Sequence, residues 1–142
     1  MSRVSIADVS VGTDLPSQSF QISRDTLVRY AGASGDFNPI HWNQRFAQSV
    51  GLPDVIAHGM LTMTQAIRVV TEWTGDPGAV VAYEVRFTRP VVVPDLGAFA
   101  TLDVGGKVRE VRVDDGMAVI TLTTTVDGHT VLAKARAVVR LG

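Results

Sequence analysis

Cysteine is absent from this chain, which excludes a disulfide framework and a thiolate metal site and is compatible with a reducing compartment. Aromatic residues are sparse at 6%, and charged residues make up only 19% against 46% hydrophobic. So apolar a composition implies that another subunit covers part of the surface. No basic run exceeds two residues and the net charge is -1, so the positive field of a nucleic-acid binder is missing. No stretch approaches the ~20 apolar residues that cross a bilayer. The opening residues Met1-Ser2-Arg3-Val4-Ser5 lack the apolar core of a secretion signal. The expectation is a cytoplasmic protein that neither binds nucleic acid nor inserts into a membrane. Its 142 residues fit a single domain over 1–142.

What is present reads as strand, helices, then sheet. Ser19-Phe20-Gln21-Ile22 alternates like a strand. Ser23 caps a helix whose apolar face carries Leu27, Val28, Tyr30 and Ala31, and Gly32 and Gly35 end it. Asn38 and Pro39 suit the cap and first position of a second helix over about 40–50. A long helix is predicted over about 57–73, with Met60, Met63, Ala66, Ile67, Val70 and Trp73 on its apolar face and Thr62, Gln65, Arg68 and Glu72 off it. Strands follow at 80–87, 98–113, 117–126 and 130–141, with Asp114-Asp115-Gly116 and Asp127-Gly128 as turns. This order predicts an α+β fold with helices on one face of a curled antiparallel sheet.

The chemistry concentrates in Gly35-Asp36-Phe37-Asn38-Pro39-Ile40-His41 and, further on, Ala57-His58-Gly59-Met60. A carboxylate and an imidazole on either side of a proline-made turn suit proton transfer to and from a small substrate or a water. Gly59 stands at the start of the long helix, where unpaired backbone N–H groups and the positive end of the dipole could hold an oxyanion.

That helix-wrapped order resembles the hot-dog fold. The motif Asp36-x-Asn38-Pro39-Ile40-His41 with Ala57-His58-Gly59-Met60 resembles the MaoC-type (R)-specific enoyl hydratases and dehydratases within it. Over nearly the whole length, including 73–80 and 85–88, the chain is similar to the β-subunit type of (3R)-hydroxyacyl-acyl-carrier-protein dehydratase of mycolic-acid synthesis. The resemblance implies a hydro-lyase acting on an acyl thioester: reversible syn addition of water to a trans-2-enoyl chain borne by acyl-carrier protein or CoA, giving the (3R)-3-hydroxy product. It implies Asp36 and His41 as the water-activating pair and the Gly59 amide as the carbonyl donor. Asn38 would orient the loop, and His58 stands with Gly59 and Asn38 as a candidate for oxyanion or substrate binding. It implies no metal and no organic cofactor. The subunits are expected to pair as a homodimer or as a heterodimer with a paralogous hot-dog subunit.

Plainer roles stand beside these. Asp36 suits a loop cap, His58 a structural or capping group, and Gly59 a tight packing position. His129 follows a turn and is expected in solvent. Trp42, Trp73, Met60 and Met63 fit a core as well as an acyl tunnel. Arg86 and Arg89 suit a phosphate contact or a solvated strand end equally. The rival functions are a hot-dog thioesterase and a non-catalytic acyl-binding partner subunit. A dehydratase built on a His-Phe-Pro segment is a weaker rival, because that segment is absent.

Overall fold

The structure is a computed structural model that describes residues 2–95 and 97–142. Strand β1 (Asp14–Ile22) leads into helix α1 (Arg24–Ser34), followed by the short α2 (Gln44–Ser49) and the long α3 (Gly59–Thr74). Strands β2 (Val80–Phe87), β3 (Ala100–Arg112), β4 (Met117–Val126) and β5 (His129–Arg140) then complete one antiparallel sheet, in the order β1-β3-β4-β5-β2. Helix α3 touches all five strands, so the expected α+β hot-dog arrangement is the one found. Ile22, Leu102, Ile120 and Val139 from the sheet are fully buried with Ala66 and Val70 of α3, each large side chain contributing about 1.5–3 kcal/mol of burial. The β4–β5 turn is set by Asp127 and Gly128, both at positive φ (50° and 78°). That pairing matches the twist of a two-residue hairpin.

Three elements depart from the sequence reading. β1 begins at Asp14, not near Ser19, because a register shift between Leu15 and Gln18 absorbs Pro16 and Ser17 and hides the alternation. An edge strand tolerates the missing proline N–H. The single helix expected over 40–50 is two pieces. A 3-10 turn, Pro39–His41, is capped by Asn38, whose Oδ1 accepts from the Ile40 amide at 3.2 Å. Asn43 then restarts the chain as the cap of α2, accepting from the Phe46 amide at 3.0 Å.

The third departure is rotational. The buried positions of α3 are Leu61, Thr62, Ala66, Val69, Val70 and Thr74, whereas Met60 is 57% exposed and Met63, Ile67 and Trp73 are only half-buried. The helix is apolar around more than half its circumference. Ile67 and Trp73 pack against the margin of the core, and Met60 is the exposed member of the sequence stripe. At the far edge of the sheet, Tyr83 donates from its hydroxyl to the Met63 carbonyl at 2.7 Å and ties β2 to α3. Burial pushes the Tyr83 phenol well above its ordinary range.

Candidate active site

The loop after α1 is built from nested side-chain turns. Gly35, in the left-handed region at φ 78°, ends α1 and donates its amide to the Ala31 carbonyl at 2.9 Å. Asp36 Oδ1 accepts from the Asn38 amide at 3.1 Å, and Asn38 in turn caps the Pro39–His41 turn. Such Asx turns are what Asp and Asn do in place of helix or strand bonds. The result delivers His41 into the interior while Asp36 stays half exposed at its side chain (51%). Segment 55–57 holds the loop from below: the Ile56 amide donates to the Ile40 carbonyl at 3.1 Å, and Ala57 donates to Val91 at 2.8 Å.

One hydrogen bond fixes the chemistry of His41. Its Nδ1 lies 2.7 Å from the Ile56 carbonyl oxygen. A carbonyl only accepts, so Nδ1 carries a proton, and in the neutral form of the ring the lone pair is at Nε2. That nitrogen is 3.8 Å from Asp36 Oδ2, too long for a direct hydrogen bond and suited to two groups that share a water.

His58 lies beneath this pair. It is 2% exposed, stacks on the His41 ring at a centroid distance of 3.7 Å, and meets Tyr30 edge-on at 4.7 Å. Its Nε2 donates to the Asp36 carbonyl at 3.1 Å, while the buried Nδ1 has no partner among the described residues. Burial lowers the His58 pKa and outweighs the opposing pull of the Asp36 carbonyl. It does not line the cavity described next. Its place is that of a support that fixes the Asp36 backbone. Asn38, too, is occupied in capping and stands outside the cavity wall.

A cavity of about 390 Å³ opens beside His41, walled by Ile40, Ile56, Gly59, Thr62, Phe87 and Val91 among others. Gly59 is the first residue of α3, with His58 as its N-cap. No hydrogen bond to the Gly59 amide is formed among the described residues, which leaves a helix N-terminal donor free at the wall. A side chain would not fit easily there: a Cβ on Gly59 would lie 3.0 Å from Phe87 Cε1 and 3.1 Å from Cζ. The structure thus brings His41 and Gly59 to one cavity and sets Asp36 at the exposed side of His41.

Thr62 and Phe87 are among the wall residues that the sequence did not assign to the site. Thr62, assigned to the outer face, is 1% exposed and sits one turn beyond Gly59. A hydroxyl at that spacing from the helix start was the available signal. Phe87 carried no signal, because its contact with Gly59 joins elements far apart in the chain. Donor atoms of Asp36, His41 and His58 fall within 4.8 Å of one another. However, His41 Nδ1 and His58 Nε2 are committed as donors to carbonyls, and rings stacked at 21° do not aim their free nitrogens at one ion. The arrangement suits proton transfer and oxyanion binding better than metal ligation.

Known proteins share both the sequence and the fold. An (R)-specific enoyl-CoA hydratase of Rhodospirillum rubrum is 34% identical over 112 residues, 78% of this chain and 74% of that protein. The 3-hydroxyacyl-thioester dehydratase X of Mycobacterium tuberculosis is 39% identical over 79 residues, 56% of this chain and 27% of that protein. A solved MaoC-like dehydratase superposes with a TM-score of 0.95 at 40% identity, over 99% of this chain and 43% of that one. The chain thus spans about a quarter of the mycobacterial relative and less than half of the solved structure. The MaoC like domain matches residues 8–127, and with the fold shared nearly end to end, the chain belongs to the MaoC-like family of hot-dog proteins.

Proposed function

We propose that this protein is a hydro-lyase that interconverts trans-2-enoyl and (3R)-3-hydroxyacyl thioesters in fatty-acid metabolism, with the acyl group borne by CoA or acyl-carrier protein. The observation that carries the reading is the tautomer of His41: the Ile56 carbonyl holds the proton on Nδ1 and leaves Nε2 free, 3.8 Å from Asp36. In hydration, His41 Nε2 takes a proton from the shared water as its oxygen bonds C3. A proton returns to C2 from the same pair, with Asp36 steering its delivery, so the pair ends with the protons it began with. Both additions come from one side of the chain, which favours syn geometry. The negative charge that gathers on the thioester oxygen is met by the Gly59 amide, a donor of a kind worth about 2.7–4 kcal/mol of barrier. His58 acts through Asp36 and does not touch substrate. Dehydration reverses each step.

A second subunit completes the site in this reading. Edge strand β2 has Val81 and Phe87 about half exposed, and Met60 of α3 is exposed near the cavity. Covering these with a copy of this chain or a paralogue removes apolar surface that a lone subunit leaves in water. Sedimentation giving a monomer at micromolar concentration, with no paralogue able to bind it, argues against this pairing. The activity is tested with the purified protein and trans-2-butenoyl-CoA: loss of enoyl absorbance and chiral analysis should give the (3R)-3-hydroxy product with no free thiol released. Thiol release without hydration points to a thioesterase, and neither reaction in a protein shown to be dimeric sinks the enzymatic reading.

A further inference from the structure

We propose that Arg89 binds the phosphate end of a pantetheine-borne thioester, so that the pantetheine arm runs from Gly59 past Phe87 to this guanidinium. The proposal rests on the acyl-thioester reading above. Among the residues lining the cavity, Arg89 is the one permanent charge, and the rest of the wall is mostly apolar. It is exposed and makes no hydrogen bond or ion pair with the described residues, whereas Arg24 and Arg136 are both paired with acids. An unpaired cation at the rim of an apolar cavity is suited to an anionic group attached to an uncharged ligand. The guanidinium fork matches phosphate oxygens in pairs.

The backbone holds Arg89 in place. On one side the Thr88 amide donates to the Val131 carbonyl at 3.1 Å. On the other, the Val91 carbonyl accepts from Ala57 at 2.8 Å. Pro90 further restricts Arg89 toward extended conformations. The ring of Phe87, two residues earlier, packs over Gly59, so thioester and phosphate subsites are neighbours along one short stretch of chain. Arg86 is separated from it by strand alternation. Tyr83 and Phe87 meet α3 on the inner side, while Arg86 lies with Glu84, Lys134 and Arg136 on the other face of the sheet. The two arginines, equivalent in sequence, are therefore distinct in position.

A phosphate of this kind is found both in CoA and in the phosphodiester of a carrier protein. The test measures binding of saturated ligands, which needs no turnover: butyryl-CoA, butyryl-pantetheine without phosphate, and butyryl-carrier protein, by calorimetry on the wild type, Arg89→Ala and Arg86→Ala. The wild type should prefer butyryl-CoA over butyryl-pantetheine by on the order of tenfold, the scale of one charge-assisted contact at an exposed rim. Arg89→Ala should bring that ratio toward one, and Arg86→Ala should keep it. A weakened carrier-protein complex in Arg89→Ala identifies the phosphodiester as a ligand as well, and a loss confined to butyryl-CoA assigns the site to the nucleotide. No preference in the wild type, or a preference that survives Arg89→Ala in both phosphate-bearing ligands, overturns the assignment. Failure of the hydration assay with this preference intact would count against the reaction and not against the phosphate site.

Discussion

Replacing Gly59 with alanine separates a packing role for this residue from a role at the thioester. The new Cβ would lie 3.0–3.3 Å from three atoms of the Phe87 ring, where carbon pairs prefer about 3.5–4.0 Å. The ring must therefore retreat by a few tenths of an ångström. It is 54% exposed in the single subunit and can swing outward without opening the subunit's core, so the effect on the folding of the subunit should stay within about 0.5 kcal/mol. Catalysis should suffer more. The amide remains, but a methyl group and a displaced ring crowd the approach of the carbonyl, and since misplacement by a full ~1 Å costs about 10²-fold, that figure bounds the loss from above. We expect kcat/KM for trans-2-butenoyl-CoA to fall by about 10- to 100-fold, with KM raised and kcat lowered together. Gly59→Val should do the same more severely. Adding Phe87→Ala to Gly59→Ala should recover part of the loss, because neighbours that clash do not act additively. Steady-state kinetics with thermal melts read both effects. A folded Gly59→Ala enzyme within twofold of wild type would refute the close approach of the thioester to this position.

Two further expectations concern the buried polar groups. Thr124 is fully buried and its hydroxyl has no partner among the described residues; Thr124→Val should stabilise the fold by about 1–2 kcal/mol, and a lower urea midpoint would mean that the hydroxyl does bond. His58 titrates below its ordinary 6.5 because it is buried. Under pH 6.5 the unfolded chain therefore takes up a proton that the folded one resists, so this stabilisation is full above 6.5 and declines as pH falls toward the lowered folded value. His58→Gln should flatten that acid-side decline in melting temperature between about pH 7 and 5, and an unchanged slope assigns it to other groups.

The parts of this protein legible in its sequence are those whose causes are local. Asp36 and Asn38 announce the turn that carries His41, because each side chain accepts from the backbone amide two residues on, and Pro39 presets the first position of that turn. Gly59 is readable as a helix start for the same reason, and Asp127-Gly128 as a hairpin. What escapes is non-local. Only the fold brings Phe87 onto Gly59, the Ile56 carbonyl onto His41, and His58 under Asp36. Thr62 is buried where the apolar pattern points elsewhere, since the buried face of α3 runs through Leu61, Thr62, Ala66, Val69 and Val70. Asn43 breaks the helix over 40–50 because a second capping residue competes with the first.

The central claim is that Asp36 and His41 move protons as a unit on one water, and the kcat of hydration in Asp36→Asn, His41→Ala and the double variant tests it most directly. Each single change should lower kcat by about 10²-fold or more with the fold intact. The double variant should be little worse than the poorer single one, as expected for groups that act together. A folded single variant that keeps near-wild-type turnover, or losses that multiply in the double variant, would contradict the account.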